Sequence, residues 1–142
     1  VKRYFSYEEA TARIPTVRAI LYEMRELRDQ LSLARAHLDA LWSSDAVVED
    51  AATLREIASA QSEMDRLARE LADAVQRLDE TGAEIRDIEM GLVDFLTLRE
   101  GQPVYFCWRL GEDSIGYWHR LTEGYAGRKP IDRRGWTGPT VS

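Results

Sequence analysis

Asp87, Glu89, Asp94, Glu112, His119 and Glu123 place hard oxygen donors and one imidazole in the last third of the chain. That ligand set suits Mg, Mn, Fe or Zn. Asp87 and Glu89 alternate onto one face of a strand-length segment, Asp94 follows on its neighbour, and His119 can close the cluster. The arrangement permits a divalent metal ion held by Asp87, Glu89, Asp94, His119 and Glu123, with the chemistry of a metal-dependent hydrolase or related enzyme. The same carboxylates also have Arg86, Arg109 and Arg120 at hand as ion-pair partners on a solvated sheet edge. Spacing alone does not separate the two readings, and a pocket without metal is a third.

His119 is the one side chain of the C-terminal third that titrates near neutral pH, and it directly follows Trp118. With Glu112, Arg109 and Arg128 these two define a candidate site for a small molecule whose identity the residues do not specify. Gly124-Tyr125-Ala126-Gly127-Arg128-Lys129-Pro130 joins mobile backbone to two cations, but lacks the spacing of a phosphate-binding loop. Cys107, between Phe106 and Trp108 and without a Cys-x-x-Cys partner, reads as a small buried hydrophobe. His37 lies off the apolar seam of its helix and reads as a surface or interface residue. No Gly-x-Ser-x-Gly or His-Glu-x-x-His pattern is present.

Long helices must position these groups. Ser6-Tyr7-Glu8-Glu9 has the form of a capping box and predicts a short helix that breaks at Ile14–Pro15, since proline lacks the amide hydrogen a continuous helix needs. From there Val17, Ile20, Met24, Leu27, Leu31, Ala34, Leu38 and Leu41 alternate steps of three and four, a heptad seam. Leu54, Ile57, Gln61, Met64, Ala68, Leu71, Val75 and Leu78 repeat it after a break at Ser43-Ser44-Asp45, with Gln61 the single polar member. Gly82 then supplies the helix stop. Beyond it the period changes: Ala83–Glu89, Leu92–Leu98 and Val104–Leu110 have strand lengths, the last alternating as a half-buried strand does, with turns at Gly91 and Arg99–Gln102. Ile115, Trp118 and His119 fit one or two helical turns, and the glycines and prolines from Gly124 onward predict irregular chain.

The expected fold is therefore α+β and mainly α: a long antiparallel helical hairpin resembling a coiled coil, a small three-stranded antiparallel β-meander and an irregular tail. One domain is expected, divided into 1–82 (short helix and hairpin), 83–132 (β-rich aromatic module) and 133–142 (tail). Two facing helices leave the flanks of their seam uncovered, so a homodimer or higher homo-oligomer through the helices is expected. Residues 1–100 carry a net −8 and residues 101–142 a net +2. A surface so acidic disfavours non-specific nucleic-acid binding. No apolar run is long enough to span a membrane or resembles a secretory leader, and with one cysteine a cytoplasmic protein is expected.

Asp87-Ile88-Glu89-Met90-Gly91-Leu92-Val93-Asp94-Phe95, Cys107-Trp108-Arg109-Leu110-Gly111-Glu112, Tyr117-Trp118-His119 and Gly127-Arg128-Lys129-Pro130 resemble a prokaryotic family catalogued as domain of unknown function 2203. The likeness extends to about Asp132 and implies a shared fold. The family supplies no activity, and its members commonly place proline after the Asp-Phe pair where this chain has Leu96. The functional expectation from the residues is a self-associating helical module with a ligand or partner site in its aromatic C-terminal region, the metal-dependent enzyme being the alternative.

Overall fold

A computed structural model describes residues 3–43 and 50–132. Two helices, α1 (Tyr7–Trp42) and α2 (Ala51–Glu80), precede a five-stranded sheet of β1 (Glu84–Asp87), β2 (Leu92–Arg99), β3 (Gln102–Arg109), β4 (Tyr117–Arg120) and β5 (Lys129–Pro130). The strands form an antiparallel meander in chain order, so the fold is α+β and mainly α. The chain separates into two compact units, residues 22–76 and residues 1–21 with 77–142.

Within residues 22–76 the helices pack antiparallel, Leu38 and Leu41 of α1 meeting Ile57, Ala60 and Met64 of α2. The α1 seam is as expected: Met24, Leu27 and Leu38 are buried and Leu31, Ala34 and Leu41 half-buried. In α2 the expected seam is half right. Ile57, Met64, Leu71 and Leu78 face inward, but their companions are Ala60, Leu67 and Ala74, whereas Leu54, Gln61, Ala68 and Val75 are exposed. Both series keep steps of three and four; the small alanines allow a closer approach of the helices and take the inner positions. Ser44 and Asp45, part of the expected break, lie outside the described residues.

In the other unit, α1 begins where the capping box placed it. Glu9 N donates to Ser6 Oγ and Ser6 N donates to Glu9 Oε1, both at 3.0 Å. The predicted break at Ile14–Pro15 is absent, and α1 runs straight through Pro15. Proline in a helix interior costs about 3 kcal/mol. Here it sits on the exposed face while Ala10, Ile14, Val17 and Leu21 are buried on the other, and keeping that stripe continuous offsets the cost. At the far end of α2, Gly82 has φ +91°, and a Cβ there would strike the Phe5 ring.

The meander has five strands instead of three. Gly91 (φ +65°) joins β1 to β2, and Glu100 and Gly101, both at positive φ, close the β2–β3 hairpin. The segment expected to turn helically is β4, because β3 offers a free edge and Tyr117–Arg120 pair with Val104–Cys107. The stretch expected to be irregular holds a 3-10 turn (Tyr125–Gly127) and then β5. The tail 133–142 lies outside the described residues. Strand β3, expected to be half-buried, is buried on both faces from Val104 to Trp108. One face carries Phe95, Phe106 and Trp108, which receive Phe5, Tyr7 and Arg18: Phe5–Phe95 and Tyr7–Phe106 meet edge to face at 5.3 and 5.7 Å, and Arg18 lies over Trp108. The opposite face carries Asp94, Cys107 and His119. Among the described residues no helix is long and apolar enough to cross a membrane.

Candidate functional site

The β2–β3 hairpin sets the register of this face. With Arg99 opposite Gln102, the pairing carries back to Leu96 opposite Tyr105 and Asp94 opposite Cys107. Strand β4 continues the rows, Tyr117 beside Cys107 and His119 beside Tyr105, and Glu84 of β1 flanks Asp94. One ligand atom from each of Asp94, Cys107 and His119 lies within 4.8 Å of the other two. Asp94 is 1 % exposed, His119 3 % and Cys107 fully buried.

His119 is held by both ring nitrogens. Nδ1 is 2.8 Å from the Arg120 carbonyl and Nε2 3.0 Å from Asp94 Oδ1. A carbonyl and a carboxylate only accept, so each nitrogen must carry a proton and donate, which is the imidazolium form. Burial lowers the imidazole's proton affinity, but the Asp94 bond, the Arg120 carbonyl and the Asp94 charge outweigh it, and the pKa lies above its ordinary value. The second Asp94 oxygen accepts from Arg86 Nε at 2.8 Å. Arg86 also reaches Glu84 Oε1 at 3.1 Å and lies over the Tyr105 ring at 4.9 Å.

Cys107 is in the wrong position for a nucleophile. Activation requires a base at the thiol, but both imidazole nitrogens are engaged elsewhere. Burial, with the Asp94 carboxylate beside it, pushes the thiol up to about 12. The buried Asp94–His119 pair ties β2 to β4 across β3, with the Cys107 thiol beside it.

The candidate ligand residues divide among three places, His119 lying in the buried cluster with Asp94. Glu112, Arg109 and Arg128 do converge: Glu112 accepts Arg109 N at 2.8 Å and Arg128 at 2.8 and 2.6 Å. Arg128 is stacked 3.9 Å from the Tyr117 ring centre and 4.8 Å from that of Tyr125, whose hydroxyl accepts from Arg109 at 3.1 Å. Trp118, although adjacent to His119 in sequence, points to the opposite face of β4, where Arg99 and Lys129 lie over it. Of the candidate metal ligands, Asp94 and His119 meet. Asp87 instead accepts Met90 N across the β1–β2 turn, Glu89 is exposed in that turn, and Glu123 accepts Arg120 N and Lys129 Nζ. His37 is exposed, as expected.

Arg86, Cys107, Tyr117 and Tyr125 complete the two clusters; the sequence offers Arg86 as an ion-pair partner and Cys107 as a buried hydrophobe, and places the two tyrosines in neither site. Pairing Arg99 with Gln102 across the turn would have put Cys107 opposite Asp94. The tyrosines depend on β4 and β5, which had no signal of their own. A cleft of about 790 Å³ opens in the same unit between the start of α1 and the β3–β4 connection. Tyr7, Glu8, Thr11, Ser114 and Gly116 line it, and none of the candidate site residues does.

A helical pair followed by a five-stranded meander, with a buried Asp–His–Cys cluster on one sheet face, defines an α+β protein of mainly helical class. The profile of the family described as "Uncharacterized conserved protein (DUF2203)" matches residues 3–131, and the chain belongs to that family. No curated protein and no solved structure matches the chain.

Proposed function

We propose that this chain is an interaction module that associates with a second copy of itself through its helices and presents an arginine–tyrosine surface for a partner or ligand. The observation that carries the reading is the apolar surface on residues 22–76. After the shared seam is buried, α2 still exposes Leu54 and Val75, and α1 exposes Tyr22 and Leu33, the last at 73 %. Leu54, Gln61, Ala68 and Val75 recur every seven residues on α2, the period of a second helix-packing stripe. A facing copy would cover it as a four-helix bundle. Half-exposed Tyr117 and Tyr125 around Arg128 and Arg109 supply the residue types that dominate protein–protein recognition; in this reading Glu112 holds Arg128 in place, and His119 and Trp118 support the strand from within.

Light scattering coupled to gel filtration tests it. A homodimer is expected at twice the 16.3 kDa chain mass, and Leu33→Glu with Val75→Glu should return it to monomer without loss of helix. A wild type of monomer mass across the accessible concentration range refutes the association. The metal-dependent enzyme reading now has Asp94 and His119 of its five ligands together, both beneath the surface.

A further inference from the structure

We propose that Asp94, Cys107 and His119 form a binding site for one divalent ion of zinc's class, clasping β2, β3 and β4. Three independent features of the geometry support it. First, one donor atom from each residue lies close to the other two. Bonds of about 2.0 to 2.3 Å to oxygen, nitrogen and sulfur in a tetrahedron set ligand atoms about 3.3 to 3.7 Å apart; here they lie within 4.8 Å, with Nε2 and Oδ1 at 3.0 Å.

Second, the outer contacts of a metal site are already made. A ligating histidine donates its other nitrogen to a carbonyl or carboxylate, and a ligating carboxylate is itself hydrogen-bonded. His119 Nδ1 donates to the Arg120 carbonyl, which leaves Nε2 as the donor atom, and Asp94 Oδ2 is fixed by Arg86 Nε. Arg86, whose side chain is 39 % exposed, links the buried Asp94 carboxylate to the protein surface.

Third, the charges balance. Binding forms metal–sulfur, metal–nitrogen and metal–oxygen bonds and breaks the Cys107 S–H and His119 Nε2–H bonds, and both protons leave to solvent. Two positive charges arrive and two depart, so Arg86 and Arg128 face no added repulsion. Thiolate and imidazole with one carboxylate favour zinc-like ions over magnesium or calcium, and three protein donors leave a fourth position for an exogenous ligand.

The test is titration of the chelator-treated full chain with Co²⁺, then Zn²⁺. One equivalent of Co²⁺ should give tetrahedral d–d absorption together with a near-ultraviolet sulfur-to-cobalt charge-transfer band, and Zn²⁺ should displace it and raise the thermal midpoint. Cys107→Ala should abolish the band in a folded chain, and Arg86→Gln should keep the band while weakening affinity about 10- to 100-fold. Absence of the band in folded wild type, or its survival in Cys107→Ala, overturns the proposal. If Cys107→Ala does not fold, the wild-type spectrum decides alone, because the band requires a thiolate and the chain has one cysteine.

Discussion

Replacing Asp94 by Asn in the metal-free protein removes a charge at almost constant shape, and each contact then changes in a definite way. The amide keeps one acceptor, which Arg86 Nε can take, and turns an NH₂ group towards His119 Nε2, where donor would meet donor. The imidazole escapes by losing that proton: Nδ1–H keeps the Arg120 carbonyl and Nε2 accepts from the amide. A charge-assisted bond of about 1.5 to 3 kcal/mol becomes a neutral one of about 0.5 to 1.5, and the partly exposed Arg86 side adds less than about 1 kcal/mol after solvent screening. The expected loss is about 2 kcal/mol, or roughly 6 °C in Tm for a chain of this size. Asp94→Ala, which leaves buried donors unmet, should cost about 3 to 5 kcal/mol. The pH dependence has a definite sign. The folded pKa of His119 is raised, so its contribution is complete below the unfolded value near 6.5 and is lost as pH rises through the folded pKa. In Asp94→Asn burial prevails, and the histidine pKa measured by NMR should fall below its ordinary value. An unchanged histidine pKa in that variant, or a wild-type value at or below the ordinary one, would refute the reasoning.

Cys107 should resist alkylation: a thiol at about 12 instead of about 9 holds roughly a thousandfold less thiolate at pH 8. Mass spectrometry after iodoacetamide treatment, native against denatured, checks this, and a native rate within tenfold of the denatured one contradicts it. Gly82→Ala should lower stability by more than about 1 kcal/mol in urea melts, since it adds strain at φ +91° and a methyl against Phe5; a neutral result would mean that the Phe5 ring readily moves aside. Gln61→Leu separates the two faces of α2. Gln61 is exposed and donates to Asp65, so the dilute monomer should melt within about 0.5 kcal/mol of wild type, while self-association strengthens; a large gain in the monomer would put Gln61 in the internal seam.

The parts of this fold that the sequence discloses are those whose pattern is local. The Ser6–Glu9 cap, the α1 seam and the β2–β3 turn each follow from residues a few positions apart. The α2 seam is ambiguous because two stripes share Ile57, Met64, Leu71 and Leu78. Counting hydrophobicity favours Leu54 and Val75 over Ala60 and Ala74, yet close helix packing rewards the smaller side chain. Pro15 shows the opposite error: a strong local preference for a break yields to a buried stripe extending on both sides of it.

The cluster was half legible for a related reason. Asp94 and His119 are groups whose chemistry stands out by type, whereas Cys107 looked inert in its apolar neighbourhood and became significant through register alone. Four-residue β4 has no periodicity of its own strong enough to compete with a helical reading of Ile115, Trp118 and His119. It is a strand because β3 presents it with an open edge, and that pairing turns Trp118 away from His119 while bringing His119 across to Asp94. Which side chains share a site is thus decided by strand alternation, and reading a helical turn where the chain forms β4 exchanges a buried carboxylate and thiol for a tryptophan neighbour.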